Sequence, residues 1–173
     1  MDGKSAPWSS LRCRWLAGLD AGAWGAVMVL LWIVFQTRLS GSLWWAKFNV
    51  AAGPFFGDRI FTAGLSRVTL VGASLLFLVY TCLGAVLGRL TPVPPRWPRS
   101  LTVGLAGALV FHILAQRWGW PLLHPFAPTW FTPQTMLPAH LLFGLAMVRL
   151  GRRYLTLMTT FGPLSIPPPD PLK

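Results

Sequence analysis

The stretch VTLVGASLLFLVYTCLGAVL, residues 68–87, decides the class of fold because it contains no charged side chain. A bilayer core about 30 Å thick is crossed by roughly 20 apolar residues in a helix. Backbone polar groups in hydrocarbon must be paired within their own segment, which a helix achieves and an isolated strand does not. The stretch therefore predicts a helix that spans a membrane.

The pattern recurs along the chain, of which 54% is hydrophobic and only 11% charged, whereas soluble domains carry about 25% charged residues. A shorter apolar run ends at Arg149, whose long side chain can reach the membrane surface. We predict an all-α integral membrane protein in which residues 1–173 form a single domain. The predicted spans are 16–36, which we expect to remain as an uncleaved anchor, 67–88, 101–118 and 134–150, followed by a proline-rich tail at 162–173.

The net charge of +11 is typical of nucleic-acid binders, but the basic residues stand at the ends of apolar runs, and we expect no nucleic-acid partner. One side of a four-span topology receives Lys4, Arg12, Arg14, Arg89, Arg96, Arg99, Arg149, Arg152, Arg153 and Lys173. The other side receives Arg38, Lys47, Arg59, Arg67 and Arg117. The positive-inside rule then predicts that both termini are cytoplasmic. Abundant arginine, alanine, glycine and proline indicate a GC-rich bacterial genome, hence a bacterial inner membrane.

The loop between the first two spans predicts a short amphipathic helix. Trp44, Phe48 and Ala51-Ala52 recur at helical spacing, Lys47 and Asn49 point elsewhere, and Gly53-Pro54 ends the pattern. Such a helix is expected to lie on the outer membrane surface. The alternative is that its aromatic residues form a docking surface for another protein.

Aromatic residues near the ends of apolar runs are typical of membrane interfaces. We predict six interfacial anchors: Trp44, Trp45, Phe48, Trp118, Trp120 and Trp130.

Small residues four apart allow close approach of helix backbones in lipid. The predicted packing positions are Gly18, Gly22, Gly84, Gly88, Gly104, Ala108 and Gly144. We expect these helices to pack either against each other or against a neighbouring protein.

Two histidines within apolar runs are the best candidates for a site. His112 shares a helix face with Gly104, Ala108 and Gln116, and His140 has a glycine one turn away. Counted from the predicted span ends, the two histidines lie at similar depths, about 9 and 7.5 Å from the same surface.

This pairing is compatible with haem b or chlorophyll, because the small neighbours leave room for a flat ring. Packed helices 8 to 10 Å apart are nevertheless too close for two axial ligands, whose Cα atoms need about 16 Å. The alternatives are that the histidines bond to each other, to Gln116 or to a backbone carbonyl, or that they transfer protons.

Asp20 is the single acidic residue near the predicted membrane, and we expect it to cap the first span and pair with Arg89. With four acidic residues in the chain and no hydrolase or Walker motif, we predict no enzymatic activity. Cys13 and Cys82 form no metal motif, and no metal site is predicted.

Three functions remain open. The first is a non-catalytic accessory or structural subunit of a larger respiratory or photosynthetic electron-transport complex, whose partners are the lipid bilayer and other membrane subunits. The second is a haem- or chlorophyll-binding subunit that uses His112 and His140. The third is a small transporter or channel, in which Asp20 and the histidines would be the polar groups.

Overall fold

A computed structural model describes residues 7–161, which are 83% helix and contain no strand. The predicted proline-rich tail lies outside the described residues. The all-helical class predicted from the sequence is confirmed.

Three helical segments are long and apolar enough to cross a membrane. The first is α1 (Pro7–Leu39), apolar from Ser10 onward, and the second is α4 (Arg67–Leu90). The third joins α5 (Trp97–Leu114), a π-helical turn (Ala115–Gly119) and α6 (Trp120–Leu123). The third segment therefore continues past Trp118, where the apolar run ends in the sequence.

The region predicted as a fourth span is divided into two helices. Helix α8 (Pro133–Ala146) has 14 residues, fewer than the roughly 17 that the shortest spans use. At Met147 and Val148 the backbone N–H groups bond three residues back, to Gly144 and Leu145, which tightens and ends the helix. Helix α9 (Arg149–Phe161) follows. The described residues thus contain no continuous helix over 134–150 that meets the length of a span.

Short helices fill the connections. Helices α2 (Ala46–Ala51) and α3 (Gly53–Phe56) and a 3-10 turn (Gly57–Phe61) link α1 to α4, and α7 (Ala127–Trp130) links α6 to α8. His124 Nε2 lies 3.3 Å from Asp58 Oδ1 and ties the two connections together. We call this side of the bundle, with α2, α3, α6 and α7, the loop end. The opposite side, where α1 and α5 begin, α4 ends and α9 lies, is the α9 end.

Glycines set the distance between α1 and α4. A methyl group added at Gly84 would lie 2.3 Å from the Cα of Gly22, and one at Gly18 would lie 2.5 Å from the carbonyl oxygen of Gly84. Gly88 faces the backbone of Arg14 and Gly18 in the same way. The two helices are therefore in direct backbone contact over several turns, which only glycine permits.

Close backbone contact at glycines also joins α5 to α8. A methyl group at Gly104 would lie 2.5 Å from the carbonyl oxygen of Gly144, and Ala108 on the same face of α5 is fully buried. Helix α8 also packs against α1. All seven glycine and alanine positions singled out in the sequence thus lie at buried positions within this one chain.

Helix α2 differs from its predicted surface position. Lys47 and Asn49, which were expected to point away from the packed face, are 6% and 3% exposed. The Lys47 ammonium donates to Gln36 Oε1, and Asn49 Nδ2 donates to the carbonyl of Gly64 at 2.8 Å. The polar groups are buried because α2 packs against α4, with the carbonyl of Phe48 against Gly72.

Candidate functional site

The two candidate histidines are in direct contact. Nδ1 of His112 and Nδ1 of His140 lie 2.9 Å apart, and the ring centroids are 5.0 Å apart. Nε2 of His140 lies 2.8 Å from the hydroxyl oxygen of Tyr80. His140 is fully buried and His112 is half-buried. Tyr80, His140 and His112 therefore form one hydrogen-bonded chain, which we call the Tyr-His-His chain.

Three helices supply one residue each. Tyr80 lies near the middle of α4, His112 lies on α5, and His140 lies on α8. The close approach of α5 and α8 at Gly104 and Gly144 brings both imidazoles within hydrogen-bonding distance. The site is thus a product of helix packing rather than of any local motif.

The helical segment that carries His112 extends further than the sequence predicted. This segment ends at Leu123, so His112 is about 16 Å from the helix end at 1.5 Å per residue, whereas the distance counted from Trp118 is about 9 Å. The helix passes Trp118 through the π-helical turn Ala115–Gly119, and the depth of the two histidines in a membrane stays a prediction.

Neutral side chains satisfy both hydrogen bonds. A neutral imidazole has one donor and one acceptor nitrogen. In one arrangement the Tyr80 hydroxyl donates to His140 Nε2, and His140 Nδ1–H donates to His112 Nδ1. In the other, His112 Nδ1–H donates to His140 Nδ1, and His140 Nε2–H donates to the Tyr80 oxygen. No charge is needed inside the bundle, which avoids the large cost of burying an ion.

Aromatic rings surround this polar chain. The Phe111 centroid lies 5.5 Å from that of Tyr80 and 5.4 Å from that of His140, and the Phe143 ring lies 5.4 Å from Tyr80. Gln116, a partner considered for His112, instead donates to the carbonyl of Phe131 at 3.1 Å. The histidines therefore bond to each other, one of the alternatives left open by the sequence.

A haem shared by His112 and His140 does not fit this geometry. Two axial nitrogens on opposite faces of a haem iron are about 4 Å apart at about 2 Å per bond, with the macrocycle between them. Here the facing nitrogens are 2.9 Å apart and hydrogen-bonded. His112 Nε2 has no hydrogen-bond partner within residues 7–161, and it is the one nitrogen of the pair left for a single ligand bond. The described residues contain no cluster of three or more His, Cys, Asp or Glu suited to a metal ion.

Asp20 pairs with a different arginine from the one predicted. Its Oδ1 lies 3.5 Å from Nε of Arg153 on α9. The prediction of an Asp20–Arg89 pair was wrong because α1 begins at Pro7, so Asp20 lies inside the helix and faces α9. Arg89 is exposed, and its backbone carbonyl accepts a hydrogen bond from Arg14.

The predicted aromatic anchors fall into two groups. Trp118 is exposed, and Trp44, Trp45 and Trp130 are half-buried. Phe48 and Trp120 are 4% exposed. These two do not anchor at a lipid surface, because Phe48 lies beneath α4 and Trp120 stacks on Phe131 with ring centroids 4.4 Å apart.

Tyr80 is the site residue that the sequence did not single out. The available signal was a tyrosine hydroxyl in the middle of the second apolar run, where a polar group must find a partner.

Comparison with known proteins identifies no relative. No protein family, curated protein or solved structure matches the chain.

Proposed function

We propose that the protein is a non-catalytic accessory or structural subunit of a larger bacterial membrane complex, and that it acts through helix packing. The observation that carries this proposal is the Tyr-His-His chain. Its buried nitrogens and hydroxyl are paired with one another and enclosed by aromatic rings. Buried hydrogen-bonded networks of this kind favour one arrangement of packed helices.

Contacts at both ends of α8 support a fourth crossing. Near the loop end, Trp32 Nε1 donates to the carbonyl of Thr135 at 2.8 Å. Near the α9 end, the side chain of Leu150 lies against Gly88. Thr135 and Leu150 are about 22 Å apart at 1.5 Å per residue. In this proposal α8 and the first turn of α9 together cross the membrane, in a bundle whose neighbouring helices are longer.

The distribution of basic residues supports a cytoplasmic α9 end. The described basic residues at that end are Arg12, Arg14, Arg89, Arg96, Arg99, Arg149, Arg152 and Arg153. Those at the loop end are Arg38, Lys47, Arg59, Arg67 and Arg117. Both chain termini would then be cytoplasmic, and the half-buried Trp44 and Trp45 rather than the buried α2 would meet the outer membrane surface.

The outward face of α5 is the surface proposed to meet another subunit. It exposes Leu109, Val110, Ile113 and Leu114, and Trp118 in the adjoining π-helical turn is exposed as well. Helices in a bilayer associate through packing rather than through the hydrophobic effect, so a neighbouring subunit can replace lipid on this face without exposing apolar surface to water.

Native electrophoresis tests the proposal. The tagged protein is produced in its native host and solubilised from the membrane in mild detergent. It is expected to migrate in a stoichiometric assembly much larger than the 19.1 kDa chain with its bound detergent. A harsh detergent provides the control, because it should release the single chain. A stable monomer in mild detergent contradicts the proposal.

The free Nε2 of His112 favours one alternative, a pigment held by a single axial histidine. A visible absorption spectrum of the protein purified from its native membrane tests this alternative. A Soret or chlorin band that disappears in His112→Leu would establish it, and a featureless visible spectrum would exclude it. Transport gains no comparable support, because the side chain of Asp20 is engaged by Arg153.

A further inference from the structure

A charged cavity lies at the α9 end, away from the Tyr-His-His chain. It has a volume of about 1200 Å³ and opens between the start of α9, residues 94–98 and Asp20 of α1. Four guanidinium groups line it: Arg96, Arg149, Arg152 and Arg153. Asp20 is the single acidic residue in the lining.

Within residues 7–161, the positive charge of this cavity is largely uncompensated. Asp20 is engaged by Arg153, and the Arg149 guanidinium lies over the ring of Trp24, 4.7 Å from its centroid. Arg96 and Arg152 form no ion pair with any residue in the range 7–161. The lining thus holds a net surplus of three positive charges in one concave site.

The walls of the cavity are held in place by backbone contacts. A methyl group at Gly151 would lie 2.6 Å from the carbonyl oxygen of Pro95, so α9 is packed directly on the loop between α4 and α5. Pro94 and Pro95 restrict the backbone of that loop, and Pro98 restricts the first turn of α5. The four arginines therefore belong to two segments, residues 94–98 and α9, whose separation is fixed before a ligand binds.

Apolar side chains stand beside the arginines. Trp97 is 64% exposed and Leu155 is 58% exposed, and both belong to the cavity lining. A ligand that suits this combination carries a concentrated negative charge next to an apolar or weakly polar part. Phosphate esters meet this description, since guanidinium groups bind phosphate oxygens in bidentate geometry.

We propose that this cavity is a binding site for a phosphate group, carried either by an anionic phospholipid or by a small soluble phosphate ester. Arg96 and Arg152 would contact the phosphate oxygens directly, and Trp97 and Leu155 would contact the glycerol or acyl part. The site rests on its own charges and walls and does not depend on the proposed subunit function.

The test uses the full chain purified in an uncharged detergent. Phosphatidylglycerol, phosphatidylcholine or water-soluble glycerol 3-phosphate is titrated in, and the midpoint of thermal unfolding is followed by far-UV circular dichroism, because a ligand that binds the folded state raises it. The cavity variant is Arg96→Gln with Arg152→Gln. The matched control, Arg12→Gln with Arg99→Gln, removes two exposed charges at the same end but outside the cavity.

Phosphatidylglycerol is expected to raise the midpoint of the wild type and of the control, with affinity about thirtyfold weaker in the cavity variant, equivalent to about 2 kcal/mol for two basic residues. Arg152→Gln alone, which removes one exposed side chain, should weaken binding about fivefold and serves if the double variant folds poorly. Competition by millimolar glycerol 3-phosphate identifies a soluble ester as the ligand, and its absence identifies the lipid.

Two outcomes overturn the proposal. Equal weakening in the cavity variant and the matched control means that the lipid responds to overall charge rather than to this site. Equal stabilisation by phosphatidylglycerol and phosphatidylcholine, together with no effect of glycerol 3-phosphate, means that the site does not select a ligand with a net negative charge.

Discussion

Replacing Gly84 by alanine tests the backbone contact between α1 and α4. The added methyl carbon would lie 2.3 Å from Gly22 Cα, 2.6 Å from the Gly18 carbonyl oxygen and 2.7 Å from the Gly22 nitrogen. Favourable carbon contacts begin near 3.5 Å, so the helices must separate by about 1.2 Å. All three neighbours are backbone atoms, and no side-chain rotation can relieve the clash.

The expected loss of stability follows from two opposed terms. Overpacking a tight site costs about 1 to 3 kcal/mol, and the upper value applies where only backbone is in contact. Alanine is a better helix former than glycine by about 1 kcal/mol. We therefore expect Gly84→Ala to lower the free energy of unfolding by about 2 kcal/mol, measured by titrating the purified protein from mild detergent into dodecyl sulfate and following far-UV circular dichroism.

Two other glycines provide graded controls. A methyl group at Gly119 would meet nothing closer than 3.5 Å, so Gly119→Ala should be neutral or stabilising. A methyl group at Gly107 would meet the δ-carbons of Leu87, which can rotate away, so its cost should be intermediate. The reasoning is refuted if Gly84→Ala loses no more stability than Gly119→Ala.

Three further predictions use the same unfolding assay. Tyr80→Phe should cost about 1 to 3 kcal/mol, because it leaves the buried Nε2 of His140 without a partner; a loss no larger than that of an exposed Leu→Ala control would contradict the hydrogen bond. Burial lowers the pKa of Lys47 to about 8 from its ordinary value of 10.5, so the unfolded state holds more protons between those values and stability should rise from pH 8 to 10.5. Lys47→Met should abolish this rise, and an unchanged slope would show that another group causes it. Asp20→Asn should change stability by less than about 1 kcal/mol, since its ion pair is partly exposed; a loss of several kcal/mol would mean that the carboxylate has a further partner.

The second apolar run, residues 68–87, correctly predicts helix α4, because a charge-free stretch of that length leaves the backbone few alternatives to a helix. The end of the third span is harder to predict. Arg117, Trp118 and Pro121 resemble a boundary in sequence, yet the π-helical turn Ala115–Gly119 carries the helix onward to Leu123. The break between α8 and α9 is not predictable from helix-breaking residues, because Met147 and Val148 stand there and neither is a proline or a glycine.

The site shows the same division between local and long-range information. Helical spacing places His112 and His140 on small-residue faces, and the structure brings them together. The third partner, Tyr80, is 60 residues away from His140 in the chain, and no periodicity within one helix reveals which residue on another helix it meets. Asp20 shows the same limit, since its arginine lies on α9, far from α1 in the sequence.

The backbone contact between α1 and α4 also bears on the order in which the protein is made. Helices α1 and α4 precede α5 and α8 in the chain and are therefore synthesised before them, and the glycines that join them, such as Gly22 and Gly84, lie within these two helices. Their hairpin can therefore close while α5 and α8 are still being synthesised, as expected when a chain folds from its N-terminal part first. Helices α5 and α8 then pack against a hairpin that has already formed, and the assembly of the bundle becomes a series of dockings onto that hairpin.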